Sequence, residues 1–126
     1  MSSLKLKDRT SCLKEAGRFT TIELDCQKVL KDWRASLFAF EWLGADGLPK
    51  HDDDLLPEKR ARLHEAQSAF DKGQEIERPL CGIGIYDTVE IAVGQAVFIV
   101  LIRENIPSFE THILASQKDD FEKYKA

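Results

Sequence analysis

The stretch Ile91-Ala-Val-Gly-Gln-Ala-Val-Phe-Ile-Val-Leu-Ile102 contains no charged residue, although 32% of the residues in the chain are charged. Its second half, residues 96–102, consists of seven apolar residues in succession. A strand with one face in water alternates apolar and polar residues, and this stretch does not alternate. We therefore predict a central strand at residues 96–103, covered on both faces. Helices of the first half can cover one face. The N-terminal segment, the terminal helix at residues 116–126 or a second copy of the chain could cover the other.

The sequence on either side of this run supplies its expected neighbours. Gly94-Gln95 is typical of a tight hairpin, because glycine readily adopts positive φ. Residues 80–86, 88–93 and 109–114 are rich in β-branched and aromatic residues, as strands are. The C-terminal half is therefore predicted to form an antiparallel meander of about four to five strands.

The first half of the chain predicts two main helices after a strand at residues 18–24. Asp25 is a candidate N-cap, and Gly44 a candidate C-terminal stop, for the first of them. A second helix is expected at residues 58–72, and a short terminal helix at 116–126. One apolar stripe follows helical spacing along the first helix: Val29, Trp33, Leu37 and Phe40.

These elements predict an α+β fold, with the helices packed on the antiparallel sheet. The length of 126 residues is that of one domain, here expected to span residues 1–126. A chain of this length can bury an ordinary apolar core without disulfides or a metal.

The charge of the chain is −4 and is unevenly distributed. Residues 1–34 carry eight basic and five acidic side chains, a balance of +3, whereas residues 41–90 carry six basic and twelve acidic ones, a balance of −6. Such a surface either orients an encounter with a charged partner or is ordinary scatter of solvated charge. Neither the overall charge nor any basic stripe favours nucleic-acid binding.

Cys12, Cys26 and Cys81 are three in number and have no short spacing, which favours a reducing, cytoplasmic compartment. The longest apolar run is far shorter than the roughly 20 residues that span a bilayer, so no membrane partner is expected.

Aromatic residues give the first functional prediction. Phe38 and Trp42 lie four residues apart, on a different side of the predicted helix from Trp33. Exposed aromatic side chains are enriched at protein interfaces, so interface anchors are predicted at Trp33, Phe38, Trp42 and Phe98. The alternative for Phe38 and Trp42 is that another part of the same chain covers them.

A pocket between the sheet and the helix at residues 26–43 gives the second functional prediction. Polar groups near the meander could surround a small ligand there, with the pocket lined by Trp33, Tyr86, Asp87 and Glu90. Alternatively, Asp87-Thr88 lies at a turn or bulge between two strands.

No catalytic residue, cofactor or metal ligand is predicted. The acidic loop at residues 51–54 resembles a hard-cation ligand set in composition but lacks the register of a calcium loop, and a solvated helix cap explains it as well. A nucleophilic pair of Cys81 with His112 is conceivable in an antiparallel sheet, yet nothing local activates the thiol.

The sequence therefore favours a non-enzymatic protein–protein interaction module that forms a homodimer, or binds another protein. The alternative is a small-molecule-binding domain or minor enzyme.

Overall fold

The structure is a computed structural model that describes residues 5–15 and 17–126; residues 1–4 and 16 of the predicted domain lie outside the described residues. The described residues form α-helices, β-strands and 3-10 helices, and they confirm the predicted α+β class. In chain order the elements are β1 (Lys5–Lys7), α1 (Thr10–Leu13), β2 (Phe19–Asp25), α2 (Cys26–Trp33), a 3-10 helix (Ala39–Glu41), a second 3-10 helix (Asp52–Asp54), α3 (Pro57–Asp71), β3 (Glu75–Glu77), β4 (Leu80–Ile83), β5 (Val89–Val93), α4 (Gln95–Arg103), β6 (Ser108–Leu114) and a C-terminal 3-10 helix (Ala115–Tyr124).

The uncharged run is divided between two elements, which corrects the predicted strand at residues 96–103. Its first part belongs to β5 and its second part forms the helix α4. Gly94 between them adopts φ 92° and starts the helix, so the predicted Gly94-Gln95 hairpin is also wrong. Residues 96–101 are all buried. A fully buried helix and a fully buried strand have the same uncharged composition, and composition alone does not distinguish them.

The cover for α4 comes from this chain itself. The Phe98 ring in α4 lies 5.5 Å from the Trp33 ring of α2 and 5.4 Å from the Phe109 ring of β6, measured between centroids. The helix α3 packs against α4 as well. The burial of the uncharged run therefore does not require a second copy of the chain.

The main sheet is mixed, which corrects the predicted antiparallel meander. Its strand order is β2-β6-β4-β5. β2 and β6 are antiparallel, with Ile22 opposite Thr111, and β4 and β5 are antiparallel as well. β4 and β6 are parallel neighbours that meet at Leu80 and His112. The predicted meander does not form, because the residues expected to make its central strand form α4 instead. β6 lies between β2 and β4 in the sheet. A separate pair, β1 and β3, is parallel.

The helix predicted at residues 26–43 begins as expected and ends early. Asp25 is its N-cap, since the Asp25 carboxylate accepts the N–H of Lys28 at 2.9 Å. α2 ends at Trp33, whose carbonyl accepts the N–H of Ser36 at 2.8 Å and its hydroxyl at 2.6 Å. The Ser36 side chain thus competes for a main-chain carbonyl near the helix end, and the chain leaves the helical path.

The other predicted helices have different outcomes. α3 matches its prediction, with Pro57 in its first turn and Gly73 just beyond its end at φ 66°. The predicted short terminal helix forms as a 3-10 helix. It is anchored by Phe121 and Tyr124, which are both buried and whose ring centroids are 6.1 Å apart.

Within the described ranges, none of the helices combines the length and the apolar character that crossing a membrane requires. The most apolar of them, α4, has 9 residues, and the longer α3 has 15 residues and is strongly charged.

Candidate functional site

Of the four residues predicted as interface anchors, the structure places three in the core. Trp33, Trp42 and Phe98 are 3%, 4% and 0% exposed. Phe38 differs, because 59% of its surface is exposed. A partner could reach Phe38 without disturbing the core, whereas the other three residues fill the interior of the single chain. The early end of α2 explains the difference, since the predicted helical faces do not extend past Trp33.

Phe38 also has an unusual backbone conformation. Its φ of 71° and ψ of 0° lie in the left-handed region, which costs an L-residue about 1–2 kcal/mol. Glycine or asparagine adopts this conformation readily, and a bulky residue there is an outlier. The residues that follow, Ala39 and Trp42, are buried, so the turn leaves the Phe38 ring on the outside. Strain of this kind persists mainly at functional positions.

Phe38 is part of an exposed apolar strip formed by Leu37, Phe38 and Phe40. Their exposed fractions are 43%, 59% and 68%. The rings of Phe38 and Phe40 lie side by side, with centroids 6.4 Å apart. Sequence reasoning assigned Leu37 and Phe40 to a buried helical stripe, and the left-handed turn at Phe38 turns both outward. Clustered exposed aromatic groups are typical of surfaces that bind another protein.

An acidic pocket lies at the Phe38 end of the apolar strip. Its volume is about 210 Å³, and Phe38 contributes to its wall together with Trp33 and Trp42. Two carboxylate residues, Glu41 and Glu90, also line it. The Glu90 carboxyl packs over Gly84, so Glu41 supplies the negative charge beside the aromatic wall. An aromatic ring next to a carboxylate is a combination that attracts ammonium and guanidinium groups. It includes two of the residues predicted for a ligand pocket, Trp33 and Glu90.

The chain places one of its own lysines at the border of this pocket. Lys59 on α3 is only 9% exposed, and its ammonium nitrogen lies 3.5 Å from a carboxylate oxygen of Glu41. The same ammonium lies 5.7 Å from the centroid of the Trp42 ring. The Trp42 ring and the Glu41 carboxylate thus already hold a cation here, and the Lys59 ammonium neutralises Glu41.

A second depression, which we call the arginine depression, lies at the Phe40 end of the strip. Its volume is about 320 Å³, and Arg34, Phe40 and Asp46 are among the residues that line it, so it contains one charge of each sign. The Arg34 side chain packs over Gly47, where an added Cβ would lie 2.7 Å from Nη1. Gly47 therefore provides the space that the Arg34 side chain occupies beside the loop.

The other two residues of the predicted ligand pocket lie elsewhere. Tyr86 and Asp87 belong to the turn between β4 and β5, where the N–H of Asp87 donates to the carbonyl of Gly84 at 3.0 Å. Tyr86 is 58% exposed, and Asp87 adopts φ 58°. The structure therefore separates Tyr86 and Asp87 from Trp33 and agrees with the alternative that Asp87-Thr88 forms a turn.

Main-chain groups at the two outer edges of the sheet are occupied. On β5, a carboxylate oxygen of Asp32 accepts the N–H of Val89 at 2.6 Å, and the Gln95 side-chain amide donates to the carbonyl of Ile91 at 2.7 Å. On β2, the C-terminal main chain pairs beside Leu24. Edges that are covered in this way resist strand-to-strand association, so a partner is expected to use side-chain surfaces.

The candidate nucleophile Cys81 is inert in this fold. Its thiol is buried, which raises its pKa to about 12, and it accepts a hydrogen bond from the Thr111 hydroxyl at 3.3 Å. His112 follows Thr111 in β6 and so faces the opposite side of the sheet. There its Nε2 accepts the N–H of Arg9 at 2.9 Å. The sheet therefore keeps Cys81 and His112 apart.

The acidic loop at residues 51–54 has its own internal partners. Asp52 accepts a hydrogen bond from Arg103 at 2.7 Å, and its other oxygen lies 2.8 Å from the His64 Nε2. These two contacts, that with His64 first, lower the pKa of the Asp52 carboxyl. In the part of the chain that the structure describes, no group of three or more histidine, cysteine, aspartate or glutamate side chains is arranged to hold a metal ion.

A groove of about 660 Å³ runs beside β1 and β3 to the start of α4. Basic and acidic side chains line it in equal number, and the Arg9 guanidinium is held by the carbonyl of Arg78 at 2.9–3.0 Å. The basic residues are Lys7, Arg9 and Arg62, and the acidic residues are Glu65, Glu75 and Glu77. The mixed charge gives this groove no preference for a ligand of one sign.

No protein-family model, curated protein or solved structure matches this chain.

Proposed function

We propose that this protein is a protein–protein interaction module that self-associates as a homodimer through the apolar strip Leu37, Phe38 and Phe40. The observation that carries the proposal is Phe38 itself. Its backbone is held at a φ of 71° while 59% of its surface remains exposed. A strained residue that buries little of its own ring contributes little to the stability of the single chain, and a partner gives the ring a surface to bury against.

The surroundings of the strip support association by side chains rather than by sheet extension. The edge of β5 is capped by Asp32 and Gln95, whereas no element among residues 5–15 and 17–126 covers the rings of Phe38 and Phe40. Aromatic residues that project from a rigid segment become the energetic centre of an interface when a partner excludes water around them.

The small-molecule alternative has weaker support. The acidic pocket measures about 210 Å³, below the roughly 300–1,000 Å³ typical of ligand pockets. The thiols of Cys26 and Cys81, each with a pKa raised to about 12 by burial, do not supply a nucleophile. We therefore propose a non-enzymatic role, and a cytoplasmic location that is consistent with three free, buried cysteines.

Sedimentation velocity of the full chain, from about 1 to about 100 µM, tests the proposal. The wild-type protein should shift towards a dimer as its concentration increases. Phe38→Ala should sediment as a monomer over the same range. Leu13→Ala provides the matched control, because Leu13 is 62% exposed but lies on α1, outside the strip. A wild-type chain that remains monomeric at the highest concentration would disprove the proposal.

A further inference from the structure

The N-terminal segment, residues 5–13, is attached to the main sheet through a buried histidine. His51 and His64 are exposed, whereas His112 on β6 is only 3% exposed. The Nε2 of His112 accepts the main-chain N–H of Arg9 at 2.9 Å. Because Arg9 is the residue that precedes α1, this one hydrogen bond fixes the start of α1 to β6.

The bond between Arg9 and His112 requires a neutral imidazole. A main-chain N–H can only donate, so the Nε2 of His112 supplies a lone pair and the ring proton lies on Nδ1. The imidazolium ion carries an N–H on both nitrogens and has no acceptor left. Protonation therefore places two donors, the Arg9 N–H and the new Nε2–H, 2.9 Å apart. Acid converts the attachment into a repulsive contact.

Charged groups from three parts of the chain surround the His112 ring. Those of the N-terminal segment, of the end of β3 with the link to β4, and of β6 itself are Asp8, Arg9, Glu77, Arg78 and Glu110. The residues opposite His112 on β2 and β4, Thr21 and Leu80, carry no charge. Burial is the largest effect on the ring and lowers the pKa of His112. The folded arrangement therefore favours the neutral ring on which the bond to Arg9 depends.

The carboxylates beside the ring are already engaged. Asp8, whose charge favours the protonated ring, lies 3.9 Å from the ring Nε2 and pairs with Arg78 at 3.5 Å. Glu77 accepts the N–H of Thr10 at 3.1 Å and lies 3.6 Å from the Arg9 guanidinium. The Nε of Arg78 is buried and has no acceptor within the part of the chain that the structure describes. The site thus already contains one donor without an acceptor, and a second adds to the cost.

We propose that His112 acts as an acid-sensitive latch, whose protonation favours release of residues 5–13 while the four-stranded sheet persists. The remaining attachments of this segment are weak. β1 has three residues and pairs with β3 in a two-stranded sheet, and α1 has four residues. Elements as short as these are not stable without tertiary contacts, so the segment depends on what holds its middle at Arg9.

Release of the segment changes the groove of about 660 Å³ beside β1 and β3. Lys7 and Arg9 line this groove. The Lys7 carbonyl also accepts the N–H of Arg78 at 2.9 Å, so β3 and the link that follows it lose their partner when β1 leaves. Acid therefore opens the groove on this side and exposes the edge of β3.

Hydrogen exchange of individual amides, measured by NMR on the full chain at pH 7.5 and at pH 5, tests the latch. Each observed rate is compared with the intrinsic rate at the same pH, and the ratio is the protection factor. Residues 9–13 should be at least about tenfold less protected than β2 (Phe19–Asp25) at both pH values, because they open without the sheet. Their protection should fall at least about fivefold at pH 5. The limit is about thirtyfold, set by full protonation of a released histidine with an ordinary pKa.

Two histidine variants show whether His112 is the group that responds to acid. His112→Gln keeps a side-chain carbonyl that can accept the Arg9 N–H and does not titrate, so the protection of residues 9–13 should be equal at the two pH values. His64→Gln is the matched control, because His64 is an exposed histidine on α3, and it should respond to pH as the wild type does.

The outcomes are distinct. Equal protection of residues 9–13 and of β2 in the wild-type chain would mean that the segment leaves only when the whole chain unfolds, and it overturns the latch even if His112→Gln fails to fold. A protection factor that does not fall at pH 5, or that falls equally in His112→Gln, overturns it as well. A fall that is present in the wild type and in His64→Gln and absent from His112→Gln supports the latch.

Discussion

Replacing Phe38 by glycine and by alanine separates the backbone role of this position from the role of its ring. Both substitutions remove the same aromatic side chain, so they differ only in how well the new residue fits a φ of 71°. Full burial of a phenylalanine is worth about 1.5–3 kcal/mol, and Phe38 is 59% exposed, so the ring contributes roughly 1 kcal/mol to the single chain. Alanine keeps the left-handed strain, whereas glycine relieves about 1 kcal/mol of it.

The expected result is that Phe38→Ala loses roughly 1 kcal/mol of unfolding free energy while Phe38→Gly stays near the wild-type value. Urea unfolding at a protein concentration low enough to keep the chain monomeric measures this difference through the midpoint at constant slope. At an ordinary helix or strand position the order reverses, with alanine more stable than glycine by about 0.5–1 kcal/mol. Alanine equal to or above glycine would therefore refute the left-handed assignment.

The same pair of variants also separates stability from association. Both lack the ring, so both should lose the concentration-dependent dimer in sedimentation, including the glycine variant that is nearly as stable as the wild type. If Phe38→Gly dimerised normally, the ring would not be the anchor of the interface, whatever its effect on folding.

Three further expectations follow from other parts of the fold. Burial lowers the pKa of His112, whose surroundings include Asp8, Arg9, Arg78 and Glu77. The folded state therefore favours the neutral imidazole, so the fold keeps its full stability above a pH of about 6.5 and loses stability as the pH falls below that value. Urea midpoints between pH 8 and pH 5 should show this loss, and His112→Gln should reduce it. Asp32→Ala leaves the N–H of Val89 without its acceptor, so it should cost about 1–3 kcal/mol in urea unfolding and increase aggregation seen by light scattering. Phe98→Ala should cost about 3–5 kcal/mol at every protein concentration, and a variant that is merely dissociated, with normal unfolding, would contradict its place in the core.

The sequence predicts this fold well where the decisive interaction is local. The Asp25 cap at the start of α2 depends on a side chain and a main-chain N–H three residues apart, and the prediction is correct. The ends of α3 are set by Pro57 and Gly73, and they are also found close to where they were expected. The α+β class follows from the same local signals.

The sequence predicts less where the decisive interaction is between distant residues. Residues 96–101 are apolar because α2, α3 and the sheet surround them, and that pattern suits a buried strand equally well. The parallel contact of Leu80 with His112 depends on where β6 enters the sheet, which no local motif encodes.

The exposure of the apolar strip could not be predicted from the sequence, for a related reason. Helical spacing placed Leu37 and Phe40 on a buried stripe, but the stripe requires a helix that continues through Phe38. The left-handed conformation of Phe38 interrupts it, and phenylalanine gives no compositional sign of such a turn. Ser36, which hydrogen-bonds to the Trp33 carbonyl, is a weak local sign that α2 ends early.

The strand order has a consequence for synthesis on the ribosome. β6 (Ser108–Leu114) is the strand that joins β2 to the β4–β5 hairpin, and it is made after both of them. Until it emerges, β2 has no partner in this sheet and the hairpin has nothing on its other side. A nascent chain that ends before β6 therefore exposes unpaired strands to chaperones and to other nascent chains, and the sheet closes in one late step when β6 inserts between them.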